Sequence, residues 1–211
     1  MNSHKPRLRA LIGTALLALS LTAVGATGAQ AAKKVRVTGG TTTITPSTAT
    51  TQFLTNNGIA VSALTPATLS NGVVTLPVAS GRIDPANLHG FILHRGGLRF
   101  TKGTKSFTLR RFLIVSTTRG AFLDASTPVR RCRTTLHARR GRGRGPVRVC
   151  FVRGEAVRVA RLSHVVVTGN SATADVLLSQ KAAHFINRLA GSKVVSAGAN
   201  LGTAQVTVTT A

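Results

Sequence analysis

The sequence predicts an α+β fold, a predominantly antiparallel β sandwich-like domain with two short helices. Threonine and valine are abundant while helix-favouring glutamate and lysine are scarce, and this composition favours β structure. Short apolar runs separated by glycine turns follow one another without the intervening helices that parallel pairing requires. Two separate segments carry helix start and stop signals, and they supply the helical part of the prediction.

The two predicted helices have similar surroundings. The first starts at Thr45 as the N-cap, and the second is capped by Ser179 and stops at Gly191. Each contains an aromatic–aliphatic pair, Phe53-Leu54 in the first and Phe185-Ile186 in the second. Each lies between strands, so the chain contains a weak internal repeat of strand, helix and strand. This repeat predicts two similar ends that close over one sheet system.

Residues 1–31 are predicted to be a signal peptide. Lys5, Arg7 and Arg9 form a positive region, the run from Leu11 to Val24 is apolar, and Ala29-Gln30-Ala31 is a typical cleavage signal. No second long apolar run follows, so we expect no transmembrane segment in the mature chain. Residues 32–211 are then expected to form a single domain that is secreted, either extracellular or in the cell envelope.

The charge of the chain is strongly positive. Twenty-eight lysine and arginine residues face four acidic residues, which gives a formal net charge of +24. Such a protein is expected to adhere to polyanions, here an anionic cell-wall polymer, a lipid surface or nucleic acid. A biased composition without a binding role is the alternative interpretation.

Residues 130–153 are predicted to form a hairpin with an arginine-rich loop. Cys132 and Cys150 are the two cysteines of the chain, and an exported protein with an even number of cysteines is predicted to form a disulfide. A free reactive thiol is the alternative. The predicted polyanion-binding residues of the loop are Arg139, Arg140, Arg142 and Arg144.

The sequence does not predict an enzyme. The four acidic residues are isolated from one another, so they form no close pair for general acid and base catalysis. The chain has no Gly-x-Ser-x-Gly motif and no histidine, cysteine and aspartate cluster at metal-ligand spacing. We therefore expect a binding protein without a catalytic site or a metal site.

A β-hairpin is predicted from Gly90 to Phe100. Gly96-Gly97 can supply the positive φ angles of a tight turn, and alternating apolar residues flank the pair. His94 is then placed at the edge of the turn, where it either contributes to a ligand site or is a half-buried residue bonded to a backbone carbonyl.

The residues of this hairpin carry a resemblance to a known family. Gly90 and Ile92 are followed by His94-Arg95-Gly96-Gly97-Leu98 and by a long strand from Lys105 to Val115. This pattern, together with the passage from Ala197 to Gly202, resembles the HtaA-like domain family of exported bacterial envelope proteins. The resemblance implies a secreted or surface β-rich module with two helices.

The same resemblance implies a ligand. The best-known members of the family capture haem at the cell envelope, where a tyrosine holds the iron and the hairpin histidine supports that tyrosine. Only the histidine carries over, to His94, because the chain contains no tyrosine. The hypothesis is a site for haem or another small ligand at His94, with Arg95 and Arg99 as partners for haem propionates. Histidine as a direct iron ligand stays open, and so does a purely solvated role for the two arginines.

Overall fold

Eleven β-strands and two α-helices form the described part of the chain. The computed structural model describes the backbone of residues 34–135 and 147–211 and the side chains of residues 34–128 and 154–211. In chain order the elements are β1 (Val35–Pro46), α1 (Thr48–Asn56), β2 (Ala60–Leu64), β3 (Thr68–Ser70), β4 (Val73–Ile83), β5 (Gly90–His94), β6 (Gly97–Lys102), β7 (Lys105–Thr117), β8 (Gly120–Thr135), β9 (Val147–Thr168), β10 (Ser171–Leu178), α2 (Gln180–Ala190) and β11 (Asn200–Thr210).

Eight of the strands close into a ring. Their order is β7-β5-β4-β1-β11-β10-β9-β8, and pairing of β7 with β8 completes the ring. β6 extends the sheet beside β7 and carries β2, while β3 pairs with β4. The prediction of an α+β domain with mostly antiparallel strands is confirmed. The sandwich-like arrangement is wrong, because β7 and β8 hydrogen-bond to each other and so form one closed, barrel-like sheet rather than two stacked sheets.

The core fills the inside of this ring. Side chains alternate inward and outward along each strand, so Val74, Leu76 and Val78 of β4 are buried together. Val37 of β1 is also fully buried, and Phe112 of β7 is 1% exposed. A ring of eight strands leaves an interior that side chains can fill or that can hold one small ligand.

The predicted hairpin at Gly96-Gly97 is wrong. β5 and β6 both run antiparallel to β7, with Leu93 opposite Leu113 and Gly97 opposite Arg110. β5 and β6 therefore pair one after the other with the same edge of β7. The chain between them bends but does not reverse direction. The hairpin that does form joins β6 to β7, where Lys102 pairs with Lys105.

The second helix forms as the sequence predicts. The Ser179 side chain accepts a hydrogen bond from the Ala182 amide at 3.0 Å, and Gly191 ends the helix in the left-handed conformation with φ 84°. The start of α1 differs from the prediction, because β1 continues to Pro46 and the N-cap is Ser47 rather than Thr45. Among the described residues, no helix is long and apolar enough to cross a membrane.

Candidate ligand-binding cavity

An apolar cavity lies beneath the two helices, at one end of the ring. Its volume is about 420 Å³. Strands of the ring supply its floor, including Phe112 and Leu123, and both helices border it. Its phenyl rings belong to Phe53, Phe100, Phe107, Phe112 and Phe185, and its polar side chains to Thr50, Thr51 and Thr55 of α1 and Asn200. The cavity is therefore almost wholly apolar, with most of its polar groups on one helix.

Backbone and cap contacts fix α1 at the border of the cavity. The Ser47 hydroxyl accepts a hydrogen bond from the Thr50 amide at 3.1 Å, which satisfies one of the free amides of the first helical turn. The Ser47 amide in turn donates to the carbonyl of Leu201 at 2.9 Å, and this bond ties the helix start to β11. Phe53 and Leu54 then lie at the cavity on the following turn.

A group of aromatic rings connects α2 to the β6–β7 hairpin. The rings of Phe100 and Phe107 stack with centroids 4.7 Å apart, and Phe185 of α2 lies 6.0 Å from Phe107. The Lys102 ammonium donates a hydrogen bond to the Ala190 carbonyl at 2.9 Å, so a cation lies at the negative end of the helix dipole. These contacts make the hairpin and the helix one wall of the cavity.

Asn187 holds the loop that follows α2. Its side-chain carbonyl accepts hydrogen bonds from the amides of Val194 and Val195 at 2.8 and 2.9 Å, and its side-chain amide donates to the Val195 carbonyl at 2.8 Å. Val195 is part of the cavity lining. A single polar side chain therefore positions an apolar group at the cavity.

His94 is buried inside the ring and both of its ring nitrogens have partners. Nδ1 lies 3.1 Å from the Phe112 carbonyl, and Nε2 lies 2.7 Å from the Thr42 hydroxyl. A carbonyl only accepts, so Nδ1 carries the proton and donates. Burial lowers the pKa of His94 below its ordinary value. The hydrogen bond to the Phe112 carbonyl raises this pKa by a smaller amount, so the net shift is downward. In the neutral ring Nε2 accepts from the hydroxyl, so Thr42 donates.

The structure does not bring His94, Arg95 and Arg99 into one site. His94 is 1% exposed, whereas both arginines are exposed at the surface. Arg99 lies on β6 between Leu98 and Phe100, which line the cavity, so its side chain points to the other face of the strand.

The residues at the cavity do not fit haem held by an iron ligand. Within the described part of the chain, no histidine, cysteine or methionine lines the cavity, and the chain has no tyrosine. His94 is not free to bind iron because its two nitrogens are bonded to Thr42 and Phe112. The resemblance implies that this histidine supports a tyrosine, but here it supports a threonine hydroxyl.

The arginine-rich hairpin is only partly covered by the structure. The backbone of Cys132 lies opposite that of Cys150 in the β8–β9 ladder, and the disulfide stays a prediction. The predicted polyanion-binding residues Arg139, Arg140, Arg142 and Arg144 lie outside the described residues.

Sequence reasoning missed the cavity, although one signal pointed to it. The two aromatic–aliphatic pairs of the internal repeat, Phe53-Leu54 and Phe185-Ile186, both border the cavity. A pair in the second turn of each serine-capped helix indicates two apolar helix faces that need a common partner. The repeat was therefore a better guide to the site than the histidine of the predicted hairpin.

Comparison with known proteins identifies the fold. No protein-family profile matches the chain, and no curated protein matches it. Among solved structures, the crystal structure of the C-terminal domain of HtaA from Corynebacterium glutamicum is similar, with a TM-score of 0.57 and 15% sequence identity. The similarity covers 84% of this chain and 99% of that chain. The chain therefore has an HtaA-like fold, as the sequence resemblance implies.

Proposed function

We propose that this HtaA-like domain is a non-catalytic binding module, secreted to the cell envelope or the extracellular space, that holds a small apolar ligand in the helix-bordered cavity. The observation that carries the proposal is the cavity itself. Its volume of about 420 Å³ lies within the range of small-molecule sites, about 300 to 1,000 Å³. Its lining of aliphatic and phenyl side chains favours a ligand with an apolar body.

The proposed ligand binds without iron coordination. The cavity lining offers no iron ligand within the described residues, so shape and apolar contact must provide the affinity. Burial of apolar surface contributes about 25 cal/mol per Å², so a ligand that fills the cavity can bind tightly without a metal bond. Thr50 and Asn200 can orient a polar end of such a ligand by hydrogen bonding.

Three acidic residues of the domain have partners outside the cavity. Asp124 accepts a hydrogen bond from Arg158 at 3.0 Å, and Asp175 lies 2.7 Å from His164. Asp84 accepts from the Ala86 amide at 2.9 Å in the turn before β5. These carboxylates are used in structural contacts, and none of them belongs to the cavity lining.

A bulky side chain placed in the cavity should block the ligand. Val61 of β2 lines the cavity, so a Val61→Trp variant is expected to weaken binding of the neutral fluorescent probe N-phenyl-1-naphthylamine by at least about tenfold, because the indole takes up ligand volume. Val166 is 59% exposed, and Val166→Trp is the matched control with expected unchanged affinity. Fluorescence titration measures both, and equal affinity of the two variants would contradict the proposal.

Haem provides a second test of the same proposal. We expect that titration with haem produces no Soret band typical of an iron–protein bond, because no ligand side chain lines the cavity. We also expect His94→Ala to leave the haem spectrum unchanged. A sharp Soret band that His94→Ala abolishes would show that the histidine leaves its two partners and binds iron, which the proposal excludes.

A further inference from the structure

A second cavity lies inside the ring, at the end opposite the two helices. Its volume is about 170 Å³. Val35 of β1 lines this second cavity, whereas Ile44 of the same strand lines the helix-bordered cavity. In the same way, Ile83 and Val74 of β4 belong to the second and to the helix-bordered cavity. The two cavities share no lining residue within the described part of the chain, so they are separate sites.

A layer of fully buried side chains separates the two cavities. Thr42, Leu76 and His94 belong to this layer, and none of these three side chains lines either cavity. Thr42 pairs with Leu76 in the β1–β4 ladder, and its hydroxyl is bonded to His94 Nε2 across the interior. Apolar packing and a buried hydrogen bond thus hold the layer in place. A ligand in one cavity therefore does not extend into the other.

The second cavity changes from apolar at its floor to polar at its mouth. The floor consists of buried aliphatic side chains, which are Ile92, Ile114, Leu162, Ala174 and Ala204. Asn170 in the β9–β10 turn and Thr210 at the end of β11 also line the cavity, and both are exposed to solvent. Their side chains can hydrogen-bond to a group at the mouth. The cavity therefore matches a ligand with an apolar body and one polar end.

A β-bulge in β9 shapes the wall of the second cavity. Val166 pairs with Thr173 and Ser163 with Asp175, so His164 and Val165 together lie opposite Ala174. In a regular strand, alternation from the inward-facing Leu162 would direct His164 into the ring. The extra residue instead places Val165 at the cavity, while His164, with φ 48°, donates from Nδ1 to the Asp175 carboxylate at 2.7 Å. The bulge thus keeps a polar ring out of the cavity and supplies an apolar wall.

We infer that the second cavity binds a small amphiphile with one aromatic ring and one polar substituent, of the monohydric phenol class. Its size supports a single ring, because an apolar protein cavity of about 150 Å³ is large enough for benzene. The aliphatic floor receives the ring, and the polar substituent stays at the mouth beside Asn170 and Thr210. This site goes beyond the proposed function and does not depend on a ligand in the helix-bordered cavity.

Isoleucine methyl groups report on the two cavities separately. The second cavity is lined by Ile83, Ile92 and Ile114. The helix-bordered cavity is lined by Ile44, Ile59 and Ile186. The experiment therefore titrates the methyl-labelled protein with 4-methylphenol and follows the isoleucine methyl signals by NMR. We expect saturable shifts at the three isoleucines of the second cavity. Absence of shifts there, or shifts confined to the isoleucines of the helix-bordered cavity, would overturn the proposal.

Two neighbouring valines provide a matched pair of variants. Val165 lines the second cavity and is 46% exposed, whereas Val166 points to the other face of the hairpin and is 59% exposed. We expect Val165→Trp to weaken binding of 4-methylphenol at least about fivefold, because the indole occupies the mouth, and Val166→Trp to weaken it less than about twofold. Ala174→Leu, which fills the floor, should also lose at least about fivefold. Equal affinity of all three variants would overturn the proposal. Unchanged methyl signals at the helix-bordered cavity show that each variant is folded.

A matched pair of ligands tests the polarity of the site. Hydroquinone, kept under argon to prevent oxidation, carries a second hydroxyl in place of the methyl group of 4-methylphenol. If one hydroxyl lies at the mouth, the other is buried among Ile92, Ile114 and Ala204, whose side chains offer no hydrogen bond. We expect hydroquinone to bind at least about tenfold more weakly than 4-methylphenol at the second cavity. Equal affinity of the two ligands would contradict the assigned ligand class.

Discussion

Replacing Gly96 with alanine is expected to destabilise the domain by about 2 to 5 kcal/mol, the sum of a left-handed backbone penalty and overpacking. Gly96 has φ 80°, and a Cβ there would lie 2.5 Å from the Ala67 amide nitrogen, 2.6 Å from the Leu64 carbonyl and 2.7 Å from the Ala67 Cβ. Two of these atoms are backbone, so the clash cannot be relieved by a side-chain rotation. The bend between β5 and β6 has to move away from the turn after β2.

Gly103→Ala is the matched control for this prediction. Gly103 also has a positive φ, 55°, but nothing lies within 4 Å of a Cβ at this position. We expect its cost to be only about 1 kcal/mol, from backbone conformation alone. Urea unfolding followed by circular dichroism measures both variants. Similar midpoints for the two variants would mean that close packing at Gly96 is not what requires glycine there.

Acidification below pH 6.5 is expected to destabilise the domain through His94. Burial lowers the pKa of His94 below its ordinary value of 6.5. Between the lowered pKa and 6.5 the unfolded chain binds a proton that the folded protein does not, so stability rises with pH in this window and is lost as pH falls. The slope can reach about 1.4 kcal/mol per pH unit for one group. Well above pH 6.5 this residue contributes little pH dependence, because it is neutral in both the folded and the unfolded chain.

His94→Gln should remove this part of the pH dependence. At pH 7.5 the variant is also expected to be less stable by about 1 to 3 kcal/mol, because the Thr42 hydroxyl or the Phe112 carbonyl is left without its partner in the interior. His184 is exposed on α2, so His184→Gln is the control that should keep both stability and slope. Urea unfolding series from pH 5 to 8 provide the measurement. An unchanged slope in His94→Gln would assign the pH dependence to other groups.

The elements that depend on local chemistry could be predicted from the sequence. Ser179 and Gly191 define α2 because a helix start needs a side-chain acceptor and a helix end favours a left-handed residue. The turn at Gly103 and the long strand after it are predictable for the same reason, since both are encoded within a few residues.

The role of Gly96-Gly97 could not be predicted in this way. A glycine pair between two apolar runs has the same pattern whether it reverses the chain or only bends it. The difference lies in the partner strand, since β5 and β6 pair with the same β7, whose sequence lies beyond the glycine pair. Glycine at these positions also allows neighbouring backbone segments to approach closely, because a Cβ at Gly97 would clash with the Leu109 carbonyl oxygen.

Closure of the sheet and the cavity also depend on distant parts of the chain. Alternation of apolar residues is the same in a sandwich and in a closed sheet, so it does not show that β7 pairs with β8 or that β1 pairs with β11. The cavity combines residues from Ile44 to Leu201. The sequence leaves open whether His94 belongs to a ligand site or is a half-buried residue, and only the structure shows that Thr42 is its side-chain partner.

The pairing of the first and last strands has a consequence for how the domain can be attached to other molecules. The Ala211 amide donates a hydrogen bond to the Arg36 carbonyl at 3.0 Å, so the start of β1 and the end of β11 lie side by side. Ile44 and Pro46 at the other end of β1 border the cavity, about 30 Å away along the strand. A linker joined at either end therefore leaves the helix-bordered cavity facing away from the attachment point.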